Sequence, residues 1–422
     1  MINTKSNKML FLITKTYPFG HGEQYITKEL EYLSLVFNKI IIYPNDYFNK
    51  DTNHSKELPV NVEVLNFNQK LSSGNKSSFG DYFYLLKHTI REFFLTDDKV
   101  NFFRNFKWNL INFWTQFQIA KELSKYFIQN NFSTNNVLFY SYWFHKSAIL
   151  LSILKERKEI GSFVSRAHSI DLYHNKWGII NETVKVPPFK MFKLNNTEKI
   201  ITISQHGSNF LKDHFPRHKD KITNFLLGID LINDKNTNKT EYPFLIVTCS
   251  HIDDCKRLYL LAEGLTKVDK KVKWVHFGGG VKEEEAKILK FFNNKELDIE
   301  VELRGYAENK VVHQFYQDNR VNLFVNLSTV EGIPVSIMEA MGYSIPVMAT
   351  KVYGTPEAVF DTKNGFLLDV NFSKDELVSK LIFCIENKEL LLEMGKASKE
   401  IYLEKFNAEK NYTQFANYLA SL

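Results

Sequence analysis

Residues 321–350 read VNLFVNLSTVEGIPVSIMEAMGYSIPVMAT, and this stretch decides the fold class. The opening run, VNLFVNLS, has the apolar, β-branched content of a buried parallel strand. A short polar turn from Thr329 to Gly332 follows. Pro334 stands where a helix begins, because its fixed φ suits a first turn and its missing N–H is not needed there. Residues 335–342 are helix formers, Gly342 supplies a stop, and 345–349 resume as a strand. Ligands of open parallel sheets collect at the carboxyl ends of strands, where helix N-termini also point. Two carboxylates belong to that mouth: Glu331 in the turn and Glu339 farther along, inside the helix.

The same alternation extends in both directions. Upstream, FLIVTCS, a helix over 256–268, KWVHFGGG, a charged helix over 282–293, IEVELRG and a helix over 308–318 form a second α/β series. Residues 374–422 read as helical, ending in an aromatic helix with Tyr412, Phe415 and Tyr418. In the first half, the strand at 9–14 runs into the turn YPFGHGEQY, then a helix and the strand KIIIYP. Gly20 and Gly22 in that turn would let the backbone approach a ligand closely. Further βα units follow VLFYSYW, GSFVSRAHSIDLYH and KIITIS, with Ser204 as a natural N-cap. The polar stretch 228–243, ending in Pro243, separates the two series as a linker.

Length and composition bound the rest. A chain of 422 residues suits two domains, and 44% hydrophobic with 24% charged residues is globular. The net charge of +6 is uneven: residues 1–200 hold 26 Lys and Arg against 17 acids, the remainder 28 against 31. A basic first half suits an anionic partner, either a membrane surface or a phosphate-bearing substrate. Residues 80–130 interleave Phe and Trp with Arg91, Arg104, Lys107 and Lys121. They read either as a helix pair filling the core or as an amphipathic surface for anionic lipid. Three irregularly spaced cysteines fit a reducing cytosol and no metal cluster. The apolar run at 9–14 reads as a strand, not a signal peptide, and no stretch has the length of a membrane span. The expected location is cytoplasmic, or peripheral on the inner face of the plasma membrane. No nucleic-acid partner is expected.

The motifs together resemble a family 4 retaining glycosyltransferase of the GT-B fold, as found in bacterial capsule, O-antigen, lipopolysaccharide and exopolysaccharide assembly. The resemblance is carried by the Glu-x7-Glu pair Glu331 and Glu339 in its strand–EGIP–helix setting, followed by SIPVMATKVYGTPEAV. The YPFGHGEQY, YSYWFHKSA and SRAHSIDLY segments support it in the first half. It implies an α/β architecture of two Rossmann-like, doubly wound parallel-sheet domains facing a cleft. Residues 1–225 would bind the acceptor, 226–243 link, 244–400 bind the donor, and the 401–422 helix pack back onto the first domain.

The implied activity is metal-independent transfer of a hexose-type sugar from a nucleotide-diphosphate sugar to a glycan acceptor on a polyprenyl-diphosphate or other lipid carrier, with no further cofactor. The resemblance assigns Glu331 to the sugar and Glu339 to the ribose. The N–H groups of Gly332, Ile333 and Val335, with Pro334 in the same donor-binding segment, would hold a phosphate or sugar oxygen. In similar enzymes an Arg–Lys pair clamps the diphosphate. Lys256 matches the Lys, His251 stands at the Arg position, and either Arg257 substitutes or the clamp is weaker. Gly278, Gly279, Arg304, Gly305 and Tyr306 match the segments beside the nucleotide. His168 matches a histidine near the transferred sugar, with Gly20 and Gly22 closing onto the donor, and His145, Arg166 and Asp171 fall to the acceptor. A catalytically degenerate nucleotide-sugar-binding subunit is the alternative.

Overall fold

The computed structural model describes residues 6–19, 23, 25–46, 56–65, 78–96, 99–173, 189–231, 239–293 and 297–422. The first half forms a seven-stranded sheet from β1 (Ser6–Thr14), β2 (Phe37–Pro44), β3 (Val62–Val64), β4 (Val137–Ser141), β5 (Phe163–Ala167), β6 (Lys199–Thr202) and β7 (Ile222–Asn224). Its order is β3-β2-β1-β4-β5-β6-β7, and every neighbouring pair is parallel. The second half forms a six-stranded sheet from β8 (Leu245–Cys249), β9 (Val272–Phe277), β10 (Ile299–Leu303), β11 (Leu323–Asn326), β12 (Val347–Thr350) and β13 (Gly365–Leu368). Its order is β10-β9-β8-β11-β12-β13, again all parallel.

Strand order reverses between β1 and β4 in the first sheet and between β8 and β11 in the second. Such switch points open the crevices where ligands of doubly wound sheets bind. The central strands are apolar on both faces because helices cover both sides of each sheet, as the runs LFLI and LFV require.

Helix α1 (Ile26–Val36) follows β1, and three helices follow β3: α2 (Phe79–Leu95), α3 (Lys99–Arg104) and α4 (Phe106–Gln129). The last helix, Ala408–Ser421, crosses back to the first sheet, where Phe415, Ala416 and Leu419 share a core with Leu10, Ile26, Leu30 and Leu33. Among the described residues no helix is long and apolar enough to cross a membrane.

Two local readings change. The helix expected over 256–268 begins only at Leu258: Asp254–Lys256 is a 3-10 turn, and Arg257 takes the left-handed conformation between them. The Asp253 side chain accepts the Lys256 N–H at 3.1 Å, which caps the 3-10 turn, delays the helix to Leu258 and turns Lys256 toward the crevice. Pro334 is extended and caps the Val335–Gly342 helix instead of occupying its first position.

Candidate functional site

The second crevice is built on two loops, one after β8 and one after β11. The Thr329 N–H donates to the Cys255 carbonyl at 2.8 Å, tying the loops together. Across that tie, Lys256 Nζ meets Glu331 Oε1 at 2.6 Å, and Asn326 Nδ2 lies 3.4 Å from the same oxygen. Burial works against the Lys256 charge, but the Glu331 carboxylate outweighs it and holds the ammonium above its ordinary range. A cation and a carboxylate thus share one half-buried mouth, beside the N-terminus of the Val335–Gly342 helix. Charge developing on a departing anion would meet Lys256 there without rearrangement.

Glu339 is buried behind that mouth. Asn309 Nδ2 donates to its Oε1 at 2.8 Å, and His313 Nε2 stands 3.5 Å away. Beside it opens a cavity of ≈ 380 Å³ lined by Ser250, His251, Gly278, Gly279, Tyr306 and Ala307, with Cys249 and Phe277 below. Gly278 has φ of +127°, and a Cβ on it would lie 1.8 Å from the Ser250 carbonyl oxygen, so only glycine fits. Its N–H donates to Gly305 at 2.8 Å, which brings the glycine turn and the Arg304–Tyr306 segment to the same cavity. Arg304 pairs with Glu302 at 2.8 Å and lies over the rings of Phe277 and Phe315.

Two arginines leave the expected site. The Arg257 guanidinium donates to the carbonyls of Leu327 at 2.6 Å and Val370 at 2.7 Å and covers the Phe372 ring. It braces the β11 loop instead of facing the crevice and does not replace the missing clamp arginine. Arg166 is fully buried, paired with Glu29, bonded to the Phe225 carbonyl at 3.1 Å and stacked on Phe415. Its charge is consumed in joining α1, β5 and the last helix, so it is no acceptor ligand. His251 is exposed at the edge of the ≈ 380 Å³ cavity.

The first crevice is different. A cavity of ≈ 280 Å³ lies where β1 and β4 end, lined by Lys15, Asn45, Asp46, Trp108, Trp143, His145, Lys146, Ser147, Ile170 and Asp171. Among the described residues Asn45 Oδ1 and Asp171 Oδ1 are buried without hydrogen-bond partners, while Asp171 Oδ2 accepts the His168 N–H at 2.9 Å. Burial raises the Asp171 carboxyl and lowers the nearby Lys193 amine, whose Nζ donates to the Phe144 carbonyl at 2.9 Å. Burial pushes His145 down to about 3. His168, also pushed down to about 3 by burial and by the Arg166 charge, has its Nε2 buried without a hydrogen-bond partner among the described residues. Its ring stands 4.4 Å from Trp143 and 5.1 Å from Tyr142 between ring centroids.

Several residues here carry no recognisable sequence signal. Glu23 accepts the N–H groups of Lys15, Thr16 and Tyr17 at 2.9, 2.8 and 2.8 Å, and the Trp143 indole N–H at 2.5 Å. It holds the β1 turn and the cavity's aromatic wall in one place. Trp108 and Asn45 likewise reach the cavity through tertiary folding, not spacing. Gly20 and Gly22 lie outside the described residues.

The two crevices meet along a seam. A Cβ on Gly332 would lie 3.0 Å from Ile203 Cδ1 and 3.7 Å from Ser169 Cβ, so the EGIP turn packs against the segment after His168. Tyr173 and Tyr353 stack at 3.9 Å, and Glu357 accepts the N–H groups of Gln205 and His206 at 2.8 and 2.7 Å.

Two parallel sheets with facing crevices define the GT-B fold, and solved structures of that fold align with nearly the whole chain. Sucrose-phosphate synthase from Thermosynechococcus elongatus aligns over 98% of this chain and 99% of its own, with a TM-score of 0.71 at 14% identity. Anabaena HepE in complex with UDP-glucose aligns over 99% and 100%, with a TM-score of 0.67 at 16% identity. Within that fold, residues 231–401 match the family model of Glycosyl transferases group 1. The poly(ribitol-phosphate) alpha-N-acetylglucosaminyltransferase of Staphylococcus aureus is 32% identical over 169 residues, 38% of this chain and 32% of that protein. The chain spans from about a quarter to about two thirds of the length of the curated relatives it matches.

Proposed function

We propose that the protein transfers a hexose-type sugar, with retention, from a nucleotide-diphosphate sugar to a glycan acceptor on a lipid carrier at the inner face of the plasma membrane, in assembly of a bacterial surface polysaccharide such as a capsule, O-antigen or lipopolysaccharide. The observation that carries this reading is the Lys256–Glu331 pair at the switch point of the second sheet, beside a cavity walled by Gly278, Gly279 and Tyr306. The family match over 231–401 covers the same residues.

In this reading the nucleotide lies against Gly278, Gly279, His251 and the Arg304–Tyr306 segment, with Glu339 on the ribose. The diphosphate meets Lys256 and the N–H groups of Gly332, Ile333 and Val335, in the turn that Pro334 closes. Glu331 accepts hydrogen bonds from sugar hydroxyls and offsets positive charge at the anomeric carbon. The acceptor hydroxyl attacks on the face that the diphosphate leaves. Its oxygen bonds to the anomeric carbon, the carbon–phosphate-oxygen bond breaks with its electron pair, and the hydroxyl proton passes to the departing phosphate oxygen. Lys256 stabilises the charge on that group, a role that needs no metal. His168 and the turn containing Gly20 and Gly22 close over the transferred sugar, and His145 and Asp171 hold the acceptor.

A panel of nucleotide sugars incubated with the protein and a lipid-linked glycan, followed by mass spectrometry, tests this. The expected result is transfer from at least one donor with retained anomeric configuration. A second reading, a nucleotide-sugar-binding subunit without chemistry, is favoured by one observation: Arg257 donates to the Leu327 and Val370 carbonyls, which leaves Lys256 and His251 at the clamp among the described residues. Donor binding by thermal shift with neither transfer nor hydrolysis across the panel would establish it in place of the first.

A further inference from the structure

Helix α2 is inside out. Its buried residues are His88, Thr89 and Glu92, whereas Phe79, Tyr82, Phe83, Leu86, Ile90, Phe94 and Leu95 are exposed. Phe79, Phe83 and Phe94 keep 87%, 61% and 71% of their surface, values that no core-facing stripe would show. The exposed positions 79, 83, 86, 90 and 94 follow helical spacing and form one continuous stripe. Val100 and Phe103 on α3 and Phe106 and Ile111 on α4 are exposed as well.

The buried face explains why the helix is nevertheless held. Glu92 caps the helix Lys190–Asn196 by accepting the N–H groups of Met191 and Phe192 at 2.8 and 2.9 Å, and His88 Nε2 meets Glu156 at 2.9 Å. These contacts, with Tyr84 and Leu85 packed on the core of the first sheet, fix the orientation and leave the stripe from Phe79 to Phe94 turned to the solvent. An apolar surface of this extent marks a docking face.

Charge identifies what covers it. Lys87, Arg91, Lys99, Arg104 and Lys107 are exposed on the same three helices. Of the described acids on these helices, Asp81 pairs with Lys121 at 2.8 Å, Glu92 accepts from backbone, and Glu122 pairs with Lys125 at 2.9 Å. Aromatic and aliphatic side chains flanked by bases and free of exposed described acids fit an anionic lipid surface, where rings enter the acyl boundary and cations meet headgroups. The same hairpin reaches the first crevice, because Trp108 lines the cavity two residues from the exposed Phe106.

We propose that α2, α3 and α4 form a docking face for an anionic phospholipid bilayer, laid flat with the cavity at Trp108 beside the membrane surface. The proposal rests on the membrane-borne acceptor described above, and it names the surface and lipid chemistry through which that acceptor is reached. A carrier lipid lying in such a bilayer would present its polar head to the cavity while its chain stays among the acyl chains.

Sedimentation with vesicles of phosphatidylglycerol and phosphatidylcholine, against vesicles of phosphatidylcholine alone, tests this without any sugar substrate. Binding to the anionic vesicles that weakens in high salt is the expected result. Phe83→Ser with Phe94→Ser should cut partitioning roughly tenfold or more, since two aromatic rings lose their apolar burial. Lys87→Gln with Arg91→Gln should cut it roughly tenfold on anionic vesicles only. Both variants should keep the parent's melting temperature and its turnover of a short-chain, water-soluble acceptor. Absent binding, or equal binding to neutral and anionic vesicles, overturns the proposal. So does a dimer that the Phe variant dissolves, which would assign the stripe to a second copy of the chain. Vesicle binding without any sugar transfer would leave this face standing and refute the transferase reading instead.

Discussion

The two crevices occupy equivalent places, each at the reversal of strand order in a parallel sheet, yet they are made differently. The second is assembled from short turns directly after β8 and β11, and its charges are already paired, Lys256 to Glu331 and Asn309 to Glu339. The first borrows Trp108 from an inserted helix and Trp143 from the β4 turn, and among the described residues it leaves Asn45 Oδ1 and Asp171 Oδ1 buried without partners. A pre-paired mouth is suited to a ligand of fixed chemistry, such as a phosphate with its sugar. A mouth with unmet acceptors and aromatic walls is suited to hydroxyl-bearing ligands whose shape varies. Buried acceptors without partners are costly unless a ligand or water supplies the donor.

The sharpest way to break this contrast is to remove the cation from the second crevice. Lys256→Ala should lower turnover on the order of 10²–10³-fold, the loss typical of one preorganised electrostatic donor, while circular dichroism remains that of the parent. Steady-state kinetics within a few-fold of the parent would mean that the pair is structural. In the first crevice, Asp171→Asn should raise the acceptor KM roughly tenfold, the scale of one hydrogen bond to a charged group, and leave the donor KM unchanged. An equal rise in both would merge the two sites into one.

Acid should act on the buried imidazoles of both halves. His145 and His168 are pushed down to about 3 and His276 to about 4 by burial. Their depressed values mean that the unfolded chain binds more protons, so stability is full above the unfolded value near 6.5 and falls as pH drops toward the folded values. Between pH 7 and 5 each fully neutral site costs at most about 2 kcal/mol. Each imidazole therefore pulls the melting temperature down across that window, while the raised Asp171 carboxyl pulls it up, so the melts of His168→Gln should fall less, or rise more, than the parent's from pH 7 to 5. A profile parallel to the parent's would mean that this ring is solvated. The smallest expected effect lies at the seam: Glu357→Gln, which weakens a carboxylate on the helix N-terminus at Gln205, should cost about 0.5–1 kcal/mol in chemical denaturation.

The contrast also governs how much could be read from the chain. The second crevice was legible because its parts are local: a strand, a turn with Glu331, and a helix lie within 30 residues, and the GT-B architecture follows from repeating such units. The first was only half legible. His145 and Asp171 line its cavity, but Glu23 meets Trp143 across 120 positions and Asn45 meets Gln116 across 71, partnerships that no periodicity announces. The arginines show the converse error. Arg166 and Arg257 have the residue type of anion ligands, but placement decides their use. One is buried under the last helix beside Glu29, and the other is turned by a left-handed backbone onto two carbonyls.

The returning C-terminal helix has a mechanical consequence. The chain passes between the sheets twice, near Ile229 and near Phe406, and these passages are bonded side by side, Ile229 N–H to the Phe406 carbonyl at 2.8 Å and Asn411 Nδ2 to the Leu227 carbonyl at 2.8 Å. Two laced passages resist twisting as one flexible tether would not, in the way that a door on two pins swings but does not spin. The same lacing holds the two sheets in the arrangement that sets Gly332 against Ile203 and Ser169.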